Sequence, residues 1–172
     1  MQKIFLSIAL FTLFSFTVIK QDWKAVSLLD KVQVSLPANA TMDTTKGIAM
    51  QKAVFADSTE LDAFALDYAK FGMTEQMLQQ MAGTDEFKQQ MEAGIASQPN
   101  VKLLKNESGK LNNKHVYYDV TLEVDSKGKK NTVKQRMVFY KQYGITLIYK
   151  PGKNAEDATL RDKFFNSLKI AE

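Results

Sequence analysis

The sequence contains no cysteine, and that absence excludes several kinds of chemistry. Disulfides, zinc–thiolate sites, thiol nucleophiles and a lipidated cysteine all require the missing side chain. A chain of 172 residues can still fold without covalent cross-links, because a domain of about 150 residues already buries roughly 70% of the surface of its unfolded chain. We therefore expect a single domain stabilised by its apolar core.

Histidine is almost as scarce, because His115 is the only one. A catalytic triad or a histidine-based metal site would have to be built around it, with Tyr117 and Asp119 on the same face of a strand. The motifs GxSxG and HExxH and a glycine-rich phosphate loop are absent. We interpret His115 as a solvated strand residue and predict no catalytic residues, no cofactor and no enzymatic activity. A hydrolase that uses Asp, Glu and His115 is the alternative.

A strong excess of one charge is also missing, since the formal net charge at pH 7 is only +4. Such a mild excess favours solubility over a particular partner, and we expect no nucleic-acid partner. The lysine-rich turn at residues 127–130 is typical of a solvated hairpin tip, with contact to anionic lipid or glycan as the alternative.

The N-terminus has the pattern of a secretory signal peptide. Met1-Gln2-Lys3 is followed by an uninterrupted apolar or hydroxyl-bearing run over residues 4–19, which is short for a membrane span. We predict a signal peptide over residues 1–20, cleaved near residues 17–20, and one α+β domain over residues 21–172. The mature protein is then secreted or periplasmic and not stably inserted in a membrane. An uncleaved N-terminal anchor is the alternative.

The first half of the mature chain predicts two strands and a helical block. Polar and apolar residues alternate over residues 31–37, and residues 47–55 have the apolar content of a second strand. The segment Asp57-Ser58-Thr59-Glu60 has capping-box spacing, and apolar residues follow at intervals of three and four, which predicts a helix that ends at Gly72. Two further helices are predicted to begin at Thr74 and near Thr84, the second ending before Pro99.

The second half predicts four strands and a closing helix. Strands are expected at residues 101–105, 115–125 and 145–149. A long strand is expected to begin near Lys129 and to end at residues 137–140, before a turn at Gln142-Tyr143-Gly144. Asn154 is the expected cap of the closing helix, whose apolar stripe is Leu160, Phe164 and Leu168. The last strands carry apolar residues on both faces, which favours a sheet covered on two sides. The predicted covers are the closing helix and the helix that begins near Ser58.

Four methionines mark the helical block. Met73, Met77 and Met81 recur every four residues, and Met91 lies further on. Methionine fills irregular gaps in cores and also forms adaptable partner surfaces, while thioethers at this spacing suit Cu(I). Core packing is the preferred interpretation. A partner surface made of all four, and a Cu(I) site at Met73, Met77 and Met81, stay open.

The order of elements, with particular residues, resembles the PsbP-like superfamily. The residues that carry the resemblance are Val32-Gln33-Val34-Ser35-Leu36-Pro37, the hairpin from Val138-Phe139-Tyr140 to Ile148-Tyr149-Lys150, and the ending Phe164-Phe165-Asn166-Ser167-Leu168-Lys169-Ile170. That superfamily includes the extrinsic photosystem subunit PsbP, the nuclear Ran-binding protein Mog and exported bacterial proteins of unknown role. The resemblance implies an α/β/α sandwich, with an antiparallel sheet of about six strands and helices on both faces. The alternative fold is a cystatin-like or NTF2-like cone.

These observations favour an exported, non-enzymatic α+β domain that binds a protein or assists assembly at the cell envelope. The resemblance implies no activity, because its known members mostly bind proteins and share no catalytic set. The alternative is a small-molecule or Cu(I)-binding protein that uses a cleft beside the methionine-bearing helices.

Overall fold

The structure is a computed structural model that describes residues 22–44, 47–126, 128–153 and 156–171. The predicted signal peptide and the predicted helix cap Asn154 lie outside these residues. Within the described ranges, no helix combines the length and the hydropathy that a membrane span needs.

The described chain is mainly β-structure with three α-helices. In chain order, the strands are β1 (Trp23–Leu29), β2 (Val32–Pro37), β3 (Thr41–Asp43), β4 (Met50–Val54), β5 (Glu60–Asp67), β6 (Val101–Leu111), β7 (His115–Ser126), β8 (Lys129–Tyr140), β9 (Tyr143–Lys150) and β10 (Lys169–Ile170). The helices are α1 (Glu75–Met81), α2 (Asp85–Ala96) and α3 (Ala158–Phe165).

The strands form two antiparallel sheets. The larger sheet has seven strands in the order β3-β4-β5-β9-β8-β7-β6, and the smaller has three in the order β1-β2-β10. The sequence predicted one antiparallel sheet of about six strands, whereas the described chain has ten strands in two sheets. The four strands that were not predicted are β1, the short strands β3 and β10, and β5, which occupies the place of a predicted helix.

The first face of the larger sheet packs against the small sheet and α3. Leu61 and Ala63 of β5 and Val138 of β8 form one buried core with Val34 of β2 and Phe164 of α3. This face is covered by a layer that is part sheet and part helix, rather than by the purely helical layer expected from the sequence.

The second face packs against α1 and α2. Phe139 follows Val138 in β8 and therefore points to the opposite side of the sheet. There it joins a separate buried core with Tyr118 of β7, Leu78 of α1 and Ile95 of α2. The two helices lie over β6, β7 and β8 and leave the β4, β5 and β9 half of this face uncovered.

The predicted helix beginning near Ser58 is wrong, because residues 60–67 form β5. Asp57 accepts a hydrogen bond from the Thr59 backbone N–H at 2.9 Å, as a cap would, but within a β-hairpin turn. Ser58 takes a left-handed φ of 72°, and its N–H donates to the Phe55 carbonyl at 2.9 Å. The chain then pairs with β9, which places Leu61 and Ala63 on one face with a strand's period of two.

The helices α1 and α2 begin where the sequence predicts. The Thr74 hydroxyl accepts from the Met77 N–H, and the Thr84 hydroxyl accepts from the Phe87 N–H, both at 3.2 Å. The closing helix α3 is shorter than predicted: its cap is Asp157, and Leu168 lies beyond its end. Leu168 is still buried in the first core.

Candidate functional site

Four apolar side chains lie on the half of the second face that α1 and α2 do not cover. Ile48, Met50, Phe64 and Ile148 are each half-buried, and they belong to neither of the two cores formed by the described residues. Apolar side chains on a sheet face normally join a core. This group instead forms an apolar surface that the described chain leaves partly exposed.

These side chains line an open cleft of about 800 Å³. Its floor is formed by β4, β5 and β9, one wall by the first residues of β8, and one end by residues 151–153. Gln98, just after α2, also borders it, so the cleft lies beside the helices and not beneath them. Its volume is in the range of about 300–1,000 Å³ that small-molecule sites occupy.

Strand alternation explains why the cleft is both apolar and charged. In β5, Leu61 and Ala63 face the first core, while Glu60, Asp62 and Phe64 line the cleft. The β9 residues alternate in the same way, with Ile148 and Lys150 on the cleft side. Charged groups therefore lie on the floor between apolar neighbours.

The charged groups form a connected cluster across three strands. The Lys150 Nζ lies 2.5 Å from Asp62 Oδ2 and 3.1 Å from Glu60 Oε2. Lys52 Nζ of β4 lies 2.9 Å from the same Glu60 oxygen. Asp62 is only 1% exposed, and a buried carboxylate is tolerated in an interior only when it is paired. Its second oxygen, Oδ1, is buried without a hydrogen-bond partner among the described residues.

Mutual pairing keeps these groups charged. Burial acts to lower the pKa of Lys150, but the hydrogen bonds and negative charges of Asp62 and Glu60 outweigh it, and the pKa is raised. Burial likewise acts to raise the pKa of Glu60, but Lys52 and Lys150 outweigh it, and the pKa is lowered. Both side chains are therefore ionised at neutral pH.

The end of the cleft is fixed by contacts between the β4–β5 turn and the segment after β9. The Gly152 N–H donates to Thr59 Oγ1 at 3.1 Å, and the Lys153 N–H donates to the Asp57 carbonyl at 2.8 Å. A Cβ on Gly152 would lie 2.2 Å from that same carbonyl oxygen. Only glycine allows so close an approach of two backbone segments.

The residues predicted around His115 lie away from this cleft. The His115 ring meets the Tyr140 ring edge-on, with 5.3 Å between the ring centroids. The Asp119 carboxylate accepts two hydrogen bonds from Arg136, each 2.7 Å long. Arg136 is also stacked over Tyr117, 4.7 Å from its ring centroid. Asp119 and Tyr117 are thus held by a structural arginine.

The four methionines have different environments, and none of them lines the cleft. Met73 and Met91 pack against the second core. Met81 is half-buried, while Met77 is 46% exposed on α1. The partner surface and the Cu(I) site both stay predictions. Among the described residues, no group of three or more His, Asp and Glu side chains is placed to hold a metal ion.

Sequence reasoning missed the cleft, although it left a signal. Asp62 interrupts the apolar run of residues 61–66, and Lys150 directly follows the run of residues 145–149. A charge inside a strand-forming apolar run indicates a buried ion pair or a site. The two runs are far apart in the chain, and only the pairing of β5 with β9 brings these charges together.

The arrangement of strands and helices is similar to that of one solved structure, and two others match it less well. The solution structure of cyanobacterial PsbP (CyanoP) from Synechocystis sp. PCC 6803 matches with a TM-score of 0.58 and 12% identity, over 90% of this chain and 96% of that one. A protein of unknown function and putative regulator from Pseudomonas aeruginosa matches with a TM-score of 0.42 and 11% identity, over 76% and 83%. LpqN, involved in cell envelope biogenesis of Mycobacterium tuberculosis, matches with a TM-score of 0.42 and 13% identity, over 91% and 88%.

No family model and no curated protein matches the sequence. At 12% identity, the likeness to the cyanobacterial protein concerns the fold and not the activity. That likeness agrees with the resemblance carried by the residues of β2, of the β8–β9 hairpin and of the chain's end. The chain therefore has a PsbP-like fold.

Proposed function

We propose that this protein is an exported, non-enzymatic binding protein of the cell envelope, and that the cleft holds a small ligand. The observation that carries the proposal is the group Ile48, Met50, Phe64 and Ile148, which lies outside both cores of the described chain and surrounds a fixed charge cluster. Covering apolar surface contributes about 25 cal/mol per Å². A ligand bound here would bury the apolar side chains that the fold leaves partly exposed.

A binding role suits the chemistry of the cleft better than catalysis does. Its carboxylates Glu60 and Asp62 are already bound to lysines, so neither is placed as an available general base. The sequence has no cysteine, and its one histidine, His115, lines a different and smaller hollow. These features support a site that holds its ligand unchanged.

Export rests on the apolar run that follows the basic start of the chain. We expect the protein, expressed from its full sequence in a secreting host, to appear outside the cytoplasm with a new N-terminus near residues 17–20. N-terminal sequencing of the secreted protein measures this directly. A chain that starts at Met1 and stays in the membrane fraction would instead support the uncleaved anchor.

Nile red, a neutral dye whose fluorescence rises in apolar surroundings, tests the cleft. We expect it to bind the folded protein, Ile48→Glu to weaken binding at least about tenfold, and Met77→Glu to leave it unchanged. Both side chains are partly exposed, so both variants should fold, as circular dichroism would check. Loss of binding with Met77→Glu alone, or no binding by the wild type, would contradict the proposal.

A protein partner on the helical block is a second candidate function. It is favoured by Met77 and by Phe71, which is 67% exposed just before α1. Pull-down from an envelope extract would compare the wild type with Met77→Asp and Met81→Asp variants. Equal recovery of partners by wild type and variants would exclude this face as the interface.

A further inference from the structure

One end of the cleft carries more lysines than the two carboxylates of its charge cluster can neutralise. The inference drawn from this excess charge rests on the proposed function. We propose that the ligand of the cleft is a free single-chain amphiphile with an anionic head, such as a carboxylate or phosphate monoester. The head would lie at the end bordered by Lys129, Lys150 and Lys153. The chain would lie over the apolar floor formed by Ile48, Met50, Phe64 and Ile148.

The topology brings the three lysines to the same end. Lys150 is the last residue of β9, and Lys153 lies three residues further on. In β8, Lys134 pairs with Tyr149 of β9, so the earlier residues of β8 run past the end of β9, beside residues 151–153. Lys129, at the start of β8, borders the cleft together with Val133. Positions separated by an even number of residues share one face of a strand.

Two of these lysines have no counter-charge among the residues that the structure describes. Lys129 and Lys153 are exposed and make no ion pair within the described chain. Lys150 is neutralised by Glu60 and Asp62, yet only two of its three N–H donors are used there. The remaining acidic residue at the cleft is Asp43, on the opposite edge in β3, and it has interactions of its own. The β9 end therefore attracts an anion.

The dimensions favour a single chain over a membrane surface. The floor from β4 to β8 crosses β5 and β9, three inter-strand spacings, or roughly 14 Å. The volume of about 800 Å³ suits one small ligand. A bilayer would instead meet a broad flat surface. The occupant that combines this size, the apolar floor and the cationic end is a monomeric anionic amphiphile.

Calorimetric titration with four probes of equal chain length tests the head group. The probes are dodecanoate, dodecyl phosphate, dodecylamine and dodecanol, the three charged probes below their micelle concentrations and the alcohol below its solubility limit. We expect the two anions to bind at least about tenfold more tightly than the amine and the alcohol, and their affinity to fall as salt is added. This salt dependence is measured on the wild-type protein and so does not depend on any variant folding.

A matched pair of double variants locates the head. We expect Lys129→Gln with Lys153→Gln to weaken dodecanoate binding about tenfold and to leave dodecanol binding unchanged. Lys102→Gln with Lys110→Gln removes two exposed lysines from the edge strand β6, outside the cleft, and should change neither.

The outcomes separate this inference from the proposed function. Equal affinity for dodecanol and dodecanoate would overturn the anionic head while leaving the cleft as a site. Equal weakening by both double variants would overturn the assigned end of the cleft. Binding to anionic phospholipid vesicles without binding to free dodecanoate would overturn the single-chain ligand. No binding of any probe, together with no binding of Nile red, would overturn the proposed function as well.

Discussion

The Lys150 ammonium lies 2.5 Å from Oδ2 of Asp62, a carboxylate that is 1% exposed on the half of the sheet that α1 and α2 leave uncovered. Lys150 and Glu60 are directly opposite each other in the β5–β9 pairing, and Asp62 is diagonal to Lys150 on the same face. The pair therefore joins two adjacent strands under the cleft. Its role in stability and its role in binding can be tested separately.

Removing the lysine alone should destabilise the fold. We expect Lys150→Met to lower the free energy of unfolding by about 3 kcal/mol, near the lower end for breaking a buried pair, because the Lys150 side chain is itself 38% exposed. The reason is that Asp62 is left as a buried charge with no partner. Urea denaturation followed by circular dichroism measures the change.

The matched double variant replaces both partners. Lys150→Met with Asp62→Leu should recover most of the lost stability, since a buried pair replaced by apolar side chains is often neutral or stabilising. A double variant as unstable as Lys150→Met would show that lost packing, and not the stranded carboxylate, causes the effect.

The Glu60 carboxylate should make the protein sensitive to acid. Its folded-state pKa lies below the ordinary value of 4.5 because Lys52 and Lys150 outweigh burial. The folded state thus binds fewer protons than the unfolded state, and the contribution to stability is complete above that value and lost as the pH falls through the lower folded-state pKa. We expect Glu60→Gln to flatten the acid limb of the stability curve, measured by urea unfolding at several pH values. Glu107→Gln, an exposed residue of β6, is the control and should leave the curve nearly unchanged.

The Gly152 contact should tolerate no side chain. A Cβ there would lie 2.2 Å from the Asp57 carbonyl oxygen and 2.5 Å from the Thr59 nitrogen, both backbone atoms. We expect Gly152→Ala to lower the free energy of unfolding by about 2 kcal/mol, as overpacking does. Gly94→Ala is the control, because a Cβ there meets nothing within 4 Å. In the exposed face of α2 it should instead raise stability by about 1 kcal/mol. Equal effects of the two variants would contradict the close approach at Gly152.

The β4–β5 turn can be distinguished from the helix that the sequence suggested. Ser58 has a φ of 72°, which costs a residue with a Cβ roughly 1–2 kcal/mol more than glycine. We therefore expect Ser58→Gly to raise the melting temperature, measured calorimetrically. In the first turn of a helix the same substitution would not relieve any strain, so a lower melting temperature would contradict the turn.

Local signals predicted the helices α1 and α2 because these carry their own caps, and the strand β7 because its residues alternate. The strands β8 and β9 were predicted from apolar runs bounded by turn residues. Thr74 and Thr84 each have a hydroxyl placed to accept from the third residue on. The β5 segment was misassigned because Leu61, Phe64 and Ala65 suit a helical period. The alternative period of two, through Leu61 and Ala63, fits the strand equally well. The pairing of β5 with β4 on one side and with β9 on the other decides between the two periods, and that pairing is not visible locally.

The cleft could not be predicted from the sequence for a related reason. It exists because α1 and α2 cover β6, β7 and β8 and stop short of β5 and β9. Nothing in the residues of β5 or β9 reveals where a helix from another part of the chain ends. The apolar side chains Phe64 and Ile148 look like ordinary core residues until the fold shows that neither core contains them.

A single reporter cysteine tests the central claim, that the cleft is the ligand site, most directly. The chain has no cysteine of its own, so Gln98→Cys, at the cleft border, can be labelled with an environment-sensitive fluorophore. Gln80→Cys, exposed on α1 and outside the cleft, is the matched control. Titration with dodecanoate should change the emission at position 98 in a saturable way and leave position 80 unchanged. A saturable change at position 80 with none at position 98 would contradict the cleft as the site of binding.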